Sequence, residues 1–572
     1  MTVPRYPDLV PASLRRTWAA EGHYPDLDLY ALFRAHLRAH PDRAAVIDSE
    51  GAFSYAQLDQ QARRLAAGLD AAGIRPGDVV GSQLPNGRLA VTADLALAAL
   101  GAVALPFPVG RGVREALSLL RRSGARAVIA VTEHRGVQHA RELAGLADEL
   151  PALRQVIAAG PGPVPSGCLP MTELLRTDAA SFAPAHPDPD TAARILVSSG
   201  SEAEPKMVAY SHNALAGGRG NILASLLPDG VSPRCLLLVP LASAFGSNGT
   251  AVTLARHGGT LVLLDRFTPE AALAAIRRHR PTHVLGVPTM VRMMLERLQS
   301  TDRPEAEAGA PTGAEGSAGE PVPALQGATA LVLGGSPLDA STREEAARAF
   351  GCAVVNLYGS ADGVNCHSGL TGHRSSGDDR PGTVIGRPDP TVCEIRIDPS
   401  RGGDPATGTG EILARGPMTP LCYVGDPELN ARYRTADGWV RTGDLGVLDA
   451  GGTLRLIGRL KDIVIRGGAN VSPAEVEGEL VSHPDVREVM CLGVPDPLMG
   501  ERLAACVVPK AGRTPTLESL CAHLEARGLE RRKNPEQLLL IPDEIPLTPA
   551  GKPDRAALRE RLTTGNAQQE AG

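Results

Sequence analysis

Aromatic side chains are scarce: Trp, Tyr and Phe together make up 3% of the 572 residues, too few for a surface that stacks nucleobases. No long run of one charge sign occurs and the formal net charge is -6. Neither nucleic acid nor an anionic membrane is therefore a favoured partner. The opening stretch MTVPRYPDLVPASLRR lacks the apolar segment of a signal peptide. The most apolar run, LAVTADLALAALGAVALPFPV, carries an acid and a proline and falls short of a clean membrane span. A cytoplasmic protein is expected. The nine cysteines are scattered and no C-x-x-C occurs, which argues against a disulfide framework or a structural metal site. No internal repeat period is visible.

What is present reads as α/β. At 572 residues the chain is too long for one ordinary core. Ser54 and Gln57 form a capping box, Leu58, Ala62, Leu65 and Leu69 share one helical face, and Gly73 is placed to end that helix. DVVGSQLP reads as a strand, and an apolar helix is expected from about Gly87 to Gly101. AVIAV (127–131), QVIAA (155–159), HVLGVP (283–288), ALVLGG (330–335) and AVVNLYG (353–359) are short apolar runs with helical patterns between them. That rhythm predicts largely parallel sheets, in which ligands sit beyond the carboxyl ends of the strands.

Residues 300–326, rich in Gly, Ala, Pro and Glu, have almost nothing to bury and are expected to form a disordered surface loop. From about residue 390 the pattern turns β-rich (VCEIRI, GEILARG, WVRTGDLGVLD, TLRLIGR). After Arg459 it becomes a small α+β pattern. The expected organisation is a large N-terminal domain, 1–457, with mostly parallel sheets, helices and a β-rich subdomain. A small mobile α+β domain, 458–572, follows.

The most informative segment is ILVSSGSEAEPKMVAYSH (195–212). A strand, Ile195–Val197, runs into Ser198, Ser199, Gly200 and Ser201, with Pro205 and Lys206 just beyond. Hydroxyls and exposed backbone N–H groups in a tight turn make a nest for phosphate oxygens, and a lysine adds positive charge. The Walker A pattern G-x-x-x-x-G-K-[ST] is absent here.

Five segments in order resemble the adenylate-forming superfamily of acyl-CoA synthetases, aryl acid ligases, peptide-synthetase adenylation domains and luciferases. SSGSEAEPK stands at its T-S-G-T-T-G-x-P-K loop, NLYGSADG (356–363) at Y-G-x-T-E, and VRTGDLG (440–446) at Y-R-T-G-D. GRLKDIVIRGGANVSPAEVE (458–477) matches the hinge segment, and PLTPAGKPDRAALR (546–559) the lysine-bearing ending. The resemblance covers nearly the whole chain and implies ATP and Mg²⁺ as cofactors, possession of an organic acid substrate, and a thiol acceptor. That acceptor is coenzyme A or a carrier protein acting in trans.

Residue by residue, the resemblance implies that the 198–206 loop embraces the β- and γ-phosphates with Lys206 as its cation. Asp444 would accept hydrogen bonds from the ribose diol, and Arg459 would assist on that side. Tyr358 offers a ring face to adenine, beside Asn356 and Gly359. Gly334, Gly335 and Ser336 line the adenine and acyl pocket. Asp362 would hold Mg²⁺. Lys552 would bridge the acid carboxylate and the α-phosphate, two anions that repel each other without a cation between them. Lys461 is the implied hinge, and Arg466, Gly467 and Gly468 flank the implied pantetheine tunnel.

Several positions depart from the pattern. Glu202 puts a negative charge beside a phosphate site, Ala361 replaces a threonine, and Asp362 replaces a glutamate with a longer reach. Ser243 stands where a histidine or aromatic is common in the family, so the gate of the acyl pocket is expected to be smaller or absent. Phe245 and Asn248 are further candidates for that pocket. The expected reaction is adenylation of an aryl, aryl-acrylic or alkyl carboxylic acid, followed by thioester formation. The departures also raise two alternatives: activation of nitrite to diazotise an aromatic amine, and an inactive binding protein.

Overall fold

The computed structural model describes residues 6–198, 205–301, 328–371, 382–403, 407–466, 469–496, 498–547 and 553–569. The chain divides into two compact units. The first comprises Met1–Gly372, Asp389–Glu394 and Ala414–Val440; the second comprises His373–Pro388, Ile395–Leu413 and Arg441–Gly572. Of the loop expected at 300–326, residues 300 and 301 instead end helix Pro288–Thr301, and the rest, from 302 onward, lies outside the described residues.

Two eight-stranded sheets organise the first unit. In one, Ala44–Asp48, Thr260–Leu263, Arg234–Leu237, His283–Gly286, Ala330–Gly334 and Ala353–Gly359 run parallel to their neighbours. Antiparallel strands Gly51–Ser54 and Asn365–His367 close its two edges. In the other, Ala192–Val197, Val103–Pro106, Val79–Gln83, Ala127–Val131, Gln155–Ala159 and Cys168–Pro170 form the parallel part. Met207–Ser211 and Cys422–Tyr423 extend it antiparallel. The parallel strands are almost wholly buried, which is why they read as continuous apolar runs rather than alternating ones.

Local sequence rules explain the helices that cover these sheets. Helix Tyr55–Ala71 starts at the Ser54–Gln57 capping box, both bonds of which form, and Gly73 follows it with φ +87°. Its apolar face, Leu58, Ala62, Leu65 and Leu69, is fully buried. Each leucine there contributes about 1.5–3 kcal/mol of transfer free energy. Helix Arg88–Leu100 is bracketed by Gly87 and the left-handed Gly101, matching the expected bounds.

The second unit holds most of a five-stranded sheet in the order Thr383–Gly386, Leu454–Arg459, Val440–Leu448, Gly410–Arg415, Glu394–Asp398. It also holds a sheet built on the long antiparallel pair Val486–Asp496 and Gly500–Pro509. Helices Pro473–Leu480 and Leu517–Ala526 pack on that sheet through Val476, Leu480, Leu520 and Leu524. The fold is thus mixed α/β, with a larger N-terminal part of parallel sheets and a smaller C-terminal part, as expected. Two π-helical segments, Ala214–Arg219 and Gly249–Arg256, are unforeseen. Among the described residues no helix is long and apolar enough to cross a membrane.

Candidate active site

The expected loop lies between Ser198, which follows strand Ala192–Val197, and Lys206, which precedes strand Met207–Ser211. Its stem is closed by two bonds: the Ser198 N–H donates to Lys206 O (2.9 Å) and the Lys206 N–H to Ser198 Oγ (3.0 Å). Two arginines secure it. Arg111 donates to Ser198 O (2.8 Å) and Arg122 to Pro205 O (3.0 Å). Ser199, Gly200, Ser201 and Glu202 lie outside the described residues.

Lys206 and Asp362 meet. Lys206 Nζ is 3.8 Å from Asp362 Oδ1, an ion-pair distance with both side chains mostly buried. Asp362 stands in the turn between strands Ala353–Gly359 and Asn365–His367 and accepts the Tyr423 hydroxyl at 2.8 Å. Burial first, and the Asp362 carboxylate second, push the Tyr423 phenol well above its ordinary range. It therefore stays protonated and serves as a donor. One residue earlier, Ala361 O accepts the Tyr210 hydroxyl at 2.9 Å. Tyr210 and Tyr423 belong to one large sheet and residues 361–362 to a turn of the other, so both sheets converge on this point.

The glycines and hydroxyls of the other sheet sit at carboxyl ends of parallel strands. Gly334 ends Ala330–Gly334, and Gly335, with φ +88°, turns the chain toward the partly exposed Ser336. Asn356 and Tyr358 lie on strand Ala353–Gly359 and are each 8% exposed. The Asn356 backbone is fixed by Ser368, whose Oγ accepts its N–H at 3.0 Å. A Cβ on Gly359 would collide with Asn365 Oδ1.

In segment 238–249, Ser243 Oγ donates to Pro240 O (2.7 Å) and accepts the Gly246 N–H (2.9 Å). Asn248 Nδ2 donates to Phe245 O (2.8 Å). Both side chains thus make local turn contacts. The buried Arg194 donates to Leu241 O (2.8 Å) and to Asp94 (2.6 Å), anchoring the segment from below.

In the second unit, Asp444 and Arg459 are direct partners across antiparallel strands. Arg459 Nε lies 3.2 Å from Asp444 Oδ1. Gly443, with φ +72°, precedes this aspartate, whose N–H donates to Thr442 Oγ1 (3.1 Å). Lys461 is exposed in the single turn Leu460–Asp462. Arg466 is engaged, donating to Arg532 O and to Glu536 Oε1, each at 2.7 Å. Gly467, Gly468 and Lys552 lie outside the described residues. The stem beside Lys552 is described: Leu547 pairs with Pro553, and the Arg555 guanidinium lies 3.8 Å from Asp462 and 3.6 Å from Glu477.

The donor set suits a magnesium nucleotide. Among the described residues no group of three or more metal-ligating side chains exists. One carboxylate, Asp362, stands beside the loop cation, and Mg²⁺ commonly takes one or two protein carboxylates with the rest of its shell from phosphates and water. Reasoning from sequence missed Tyr423, Tyr433, Arg111 and Arg122. None is marked by a motif, and only packing brings them to this place.

Residues 33–424 match the AMP-binding enzyme family, and residues 475–552 match the AMP-binding enzyme C-terminal domain. The chain is 32% identical to the pyochelin synthase PchD of Pseudomonas aeruginosa, over 96% of this chain and 95% of that protein. It is also 32% identical to the salicyl-AMP ligase / salicyl-S-ArCP synthetase of Mycobacterium tuberculosis, over 96% and 94%. The structure of the amide bond synthetase McbA from Marinactinospora thermotolerans superposes with a TM-score of 0.78 at 30% identity, covering 93% of this chain and 99% of that one. By the match of its segments and of its fold, the chain belongs to the AMP-binding enzyme family, the adenylate-forming superfamily of acid ligases.

Proposed function

We propose that this enzyme adenylates an aryl, aryl-acrylic or alkyl carboxylic acid with ATP, releases pyrophosphate, and passes the acyl group to the thiol of coenzyme A or of a carrier protein. The observation that carries the reading is the pairing of Lys206 and Asp362 at 3.8 Å, where the two large sheets converge. A cation for phosphate oxygens and an anion for a metal stand side by side, as attack on an α-phosphate requires. When bound there, Mg²⁺ would supply charge neutralisation for the triphosphate, with Asp362 as its protein ligand.

The chain's own groups divide the remaining work. Lys206 meets the β- and γ-phosphates beside the stem that Arg111 and Arg122 secure. Asp444, oriented by Arg459, takes the ribose hydroxyls. Lys552 brings the acid carboxylate and the α-phosphate together. The small domain beginning near Gly458 turns about Lys461 between the two half-reactions, after which Arg466, Gly467 and Gly468 face the pantetheine arm. Supporting the acid and acceptor classes, similar chains include a feruloyl-CoA synthase of Amycolatopsis at 32% identity and the carrier-loading salicyl ligase above.

The test is a panel of carboxylic acids, with nitrite plus an aryl amine as a control, scored by pyrophosphate release with and without coenzyme A. Release driven by at least one carboxylic acid is expected. Release driven by nitrite and an amine alone would sink the reading. Lys552→Ala should lower pyrophosphate exchange by at least about 100-fold, the scale of one lost transition-state charge contact, while ATP binding changes little.

A further inference from the structure

The Lys206 ammonium is walled on three sides. Its Nζ lies 3.8 Å from the centroid of the Tyr433 ring, 5.8 Å from that of Tyr423, and 3.8 Å from Asp362 Oδ1. The two rings are 5.8 Å apart and inclined at 51°, so they form a corner rather than a stack. Both are held by one small piece of structure. Tyr433 is the last residue of helix Pro427–Tyr433, whose N-cap Asp426 accepts the Leu429 N–H. Asn430 of that helix pins Tyr423 by two bonds: it accepts the Tyr423 N–H (2.8 Å) and donates to Tyr423 O (2.9 Å). The Arg432 guanidinium lies farther from the Tyr433 ring, at 5.3 Å.

We propose that Tyr433 is a positioning residue for the nucleotide: its ring face holds the Lys206 ammonium beside Asp362 before ATP arrives. The inference rests on the adenylation reading above. A lysine stem has four rotatable carbons, and fixing it when a ligand binds reduces affinity. A ring in van der Waals contact with the ammonium removes much of that freedom in advance. The ring attracts the cation through its quadrupole and takes up no conventional acceptor site, so the contact is compatible with phosphate oxygens bonding the same ammonium. A carboxylate alone would hold the lysine but repel an incoming polyanion; an uncharged ring holds it without that repulsion.

The test is calorimetric binding of ATP and of AMP to the full chain in the absence of acid. Tyr433→Leu keeps apolar bulk and removes the π face. It should weaken ATP about two- to thirty-fold, the range to which a cation–π contact of about 0.5–2 kcal/mol converts. AMP, which lacks the β- and γ-phosphates, should bind all variants equally. Tyr433→Phe, which keeps the ring face, should bind ATP like the parent. In a Lys206→Met background, Tyr433→Leu should have no further effect. Should the leucine variant misfold in a melting scan, labelling of Lys206 by an amine-reactive ester in Tyr433→Met serves in its place. Faster labelling than in Tyr433→Phe is then expected, and equal labelling overturns the proposal. Equal losses of ATP affinity in the Phe and Leu variants, or an undiminished loss in the Lys206→Met background, would also overturn it. Failure of the parent protein to bind ATP at all would instead bring down the adenylation reading beneath it.

Discussion

At the scale of single residues, the second unit offers a clean contrast to Lys206. Asp444 is 4% exposed and paired with Arg459. On the ribose reading, Asp444→Ala removes charge-assisted bonds worth about 1.5–3 kcal/mol, so ATP and AMP affinity should both fall roughly 10- to 100-fold. Because both nucleotides carry the ribose, equal losses in the two titrations are the signature of this site.

Buried histidines set a pH dependence. Burial pushes His212 and His257 down from 6.5 to about 4. Their folded pKa lies below the unfolded one, so below pH 6.5 the unfolded chain binds protons that the native chain does not. Their contribution is complete above pH 6.5 and is lost as pH falls toward 4, by roughly 3 kcal/mol each. Urea melts at pH 7 and pH 4.5 should show the loss, and a His212→Asn, His257→Gln double variant should flatten it. Arg434 presents the opposite case. Among the described residues none of its three guanidinium nitrogens has a hydrogen-bond partner. Arg434→Leu should therefore raise stability by roughly 1–3 kcal/mol, the scale of an unmet buried group, read as a higher Tm.

At the scale of elements, much was legible. The Ser54–Gln57 box, the Gly87–Gly101 bracket and the short apolar strands follow from local rules, and each formed where the residues indicated. The π-helical segments were not legible. The widened turn of Ala214–Arg219 holds glycines packed against distant backbone: a Cβ on Gly218 would strike Met418, some 200 positions away in the chain. The aromatic corner around Lys206 was hidden for a related reason. Helix Pro427–Tyr433 reads as an ordinary capped turn, and only its docking onto strand Cys422–Tyr423 brings Tyr433 to the cation. Ser243 and Asn248 were legible as positions, but their local bonds depend on turn geometry that sequence does not specify.

Arg555 lends itself to a test at this scale. It donates to Cys491 O (3.1 Å) and faces both Asp462 and the buried Glu477, whose carboxyl is pushed up by burial and drawn back by this arginine. Arg555→Ala strands that carboxyl and frees the start of helix Arg555–Gln569. A loss of about 3 kcal/mol or more is expected, together with faster amide exchange in strand Val486–Asp496.

For the whole molecule, the proposed hinge makes a prediction that single sites do not. If the small domain turns about Lys461, Lys461→Pro should leave pyrophosphate exchange within a few-fold of the parent, because proline restricts φ at that residue without touching the nucleotide. Thioester formation from a supplied acyl adenylate should drop much further. Equal slowing of both half-reactions would argue against a turning domain.

The two large sheets are joined at Ala361 and Asp362 by phenol groups from the neighbouring sheet. Slippage of one layer past the other is thereby transmitted to Asp362, the carboxylate proposed to hold magnesium. Damage deep in either hydrophobic layer should announce itself first as a greater demand for magnesium, well before the enzyme loses its grip on the acid.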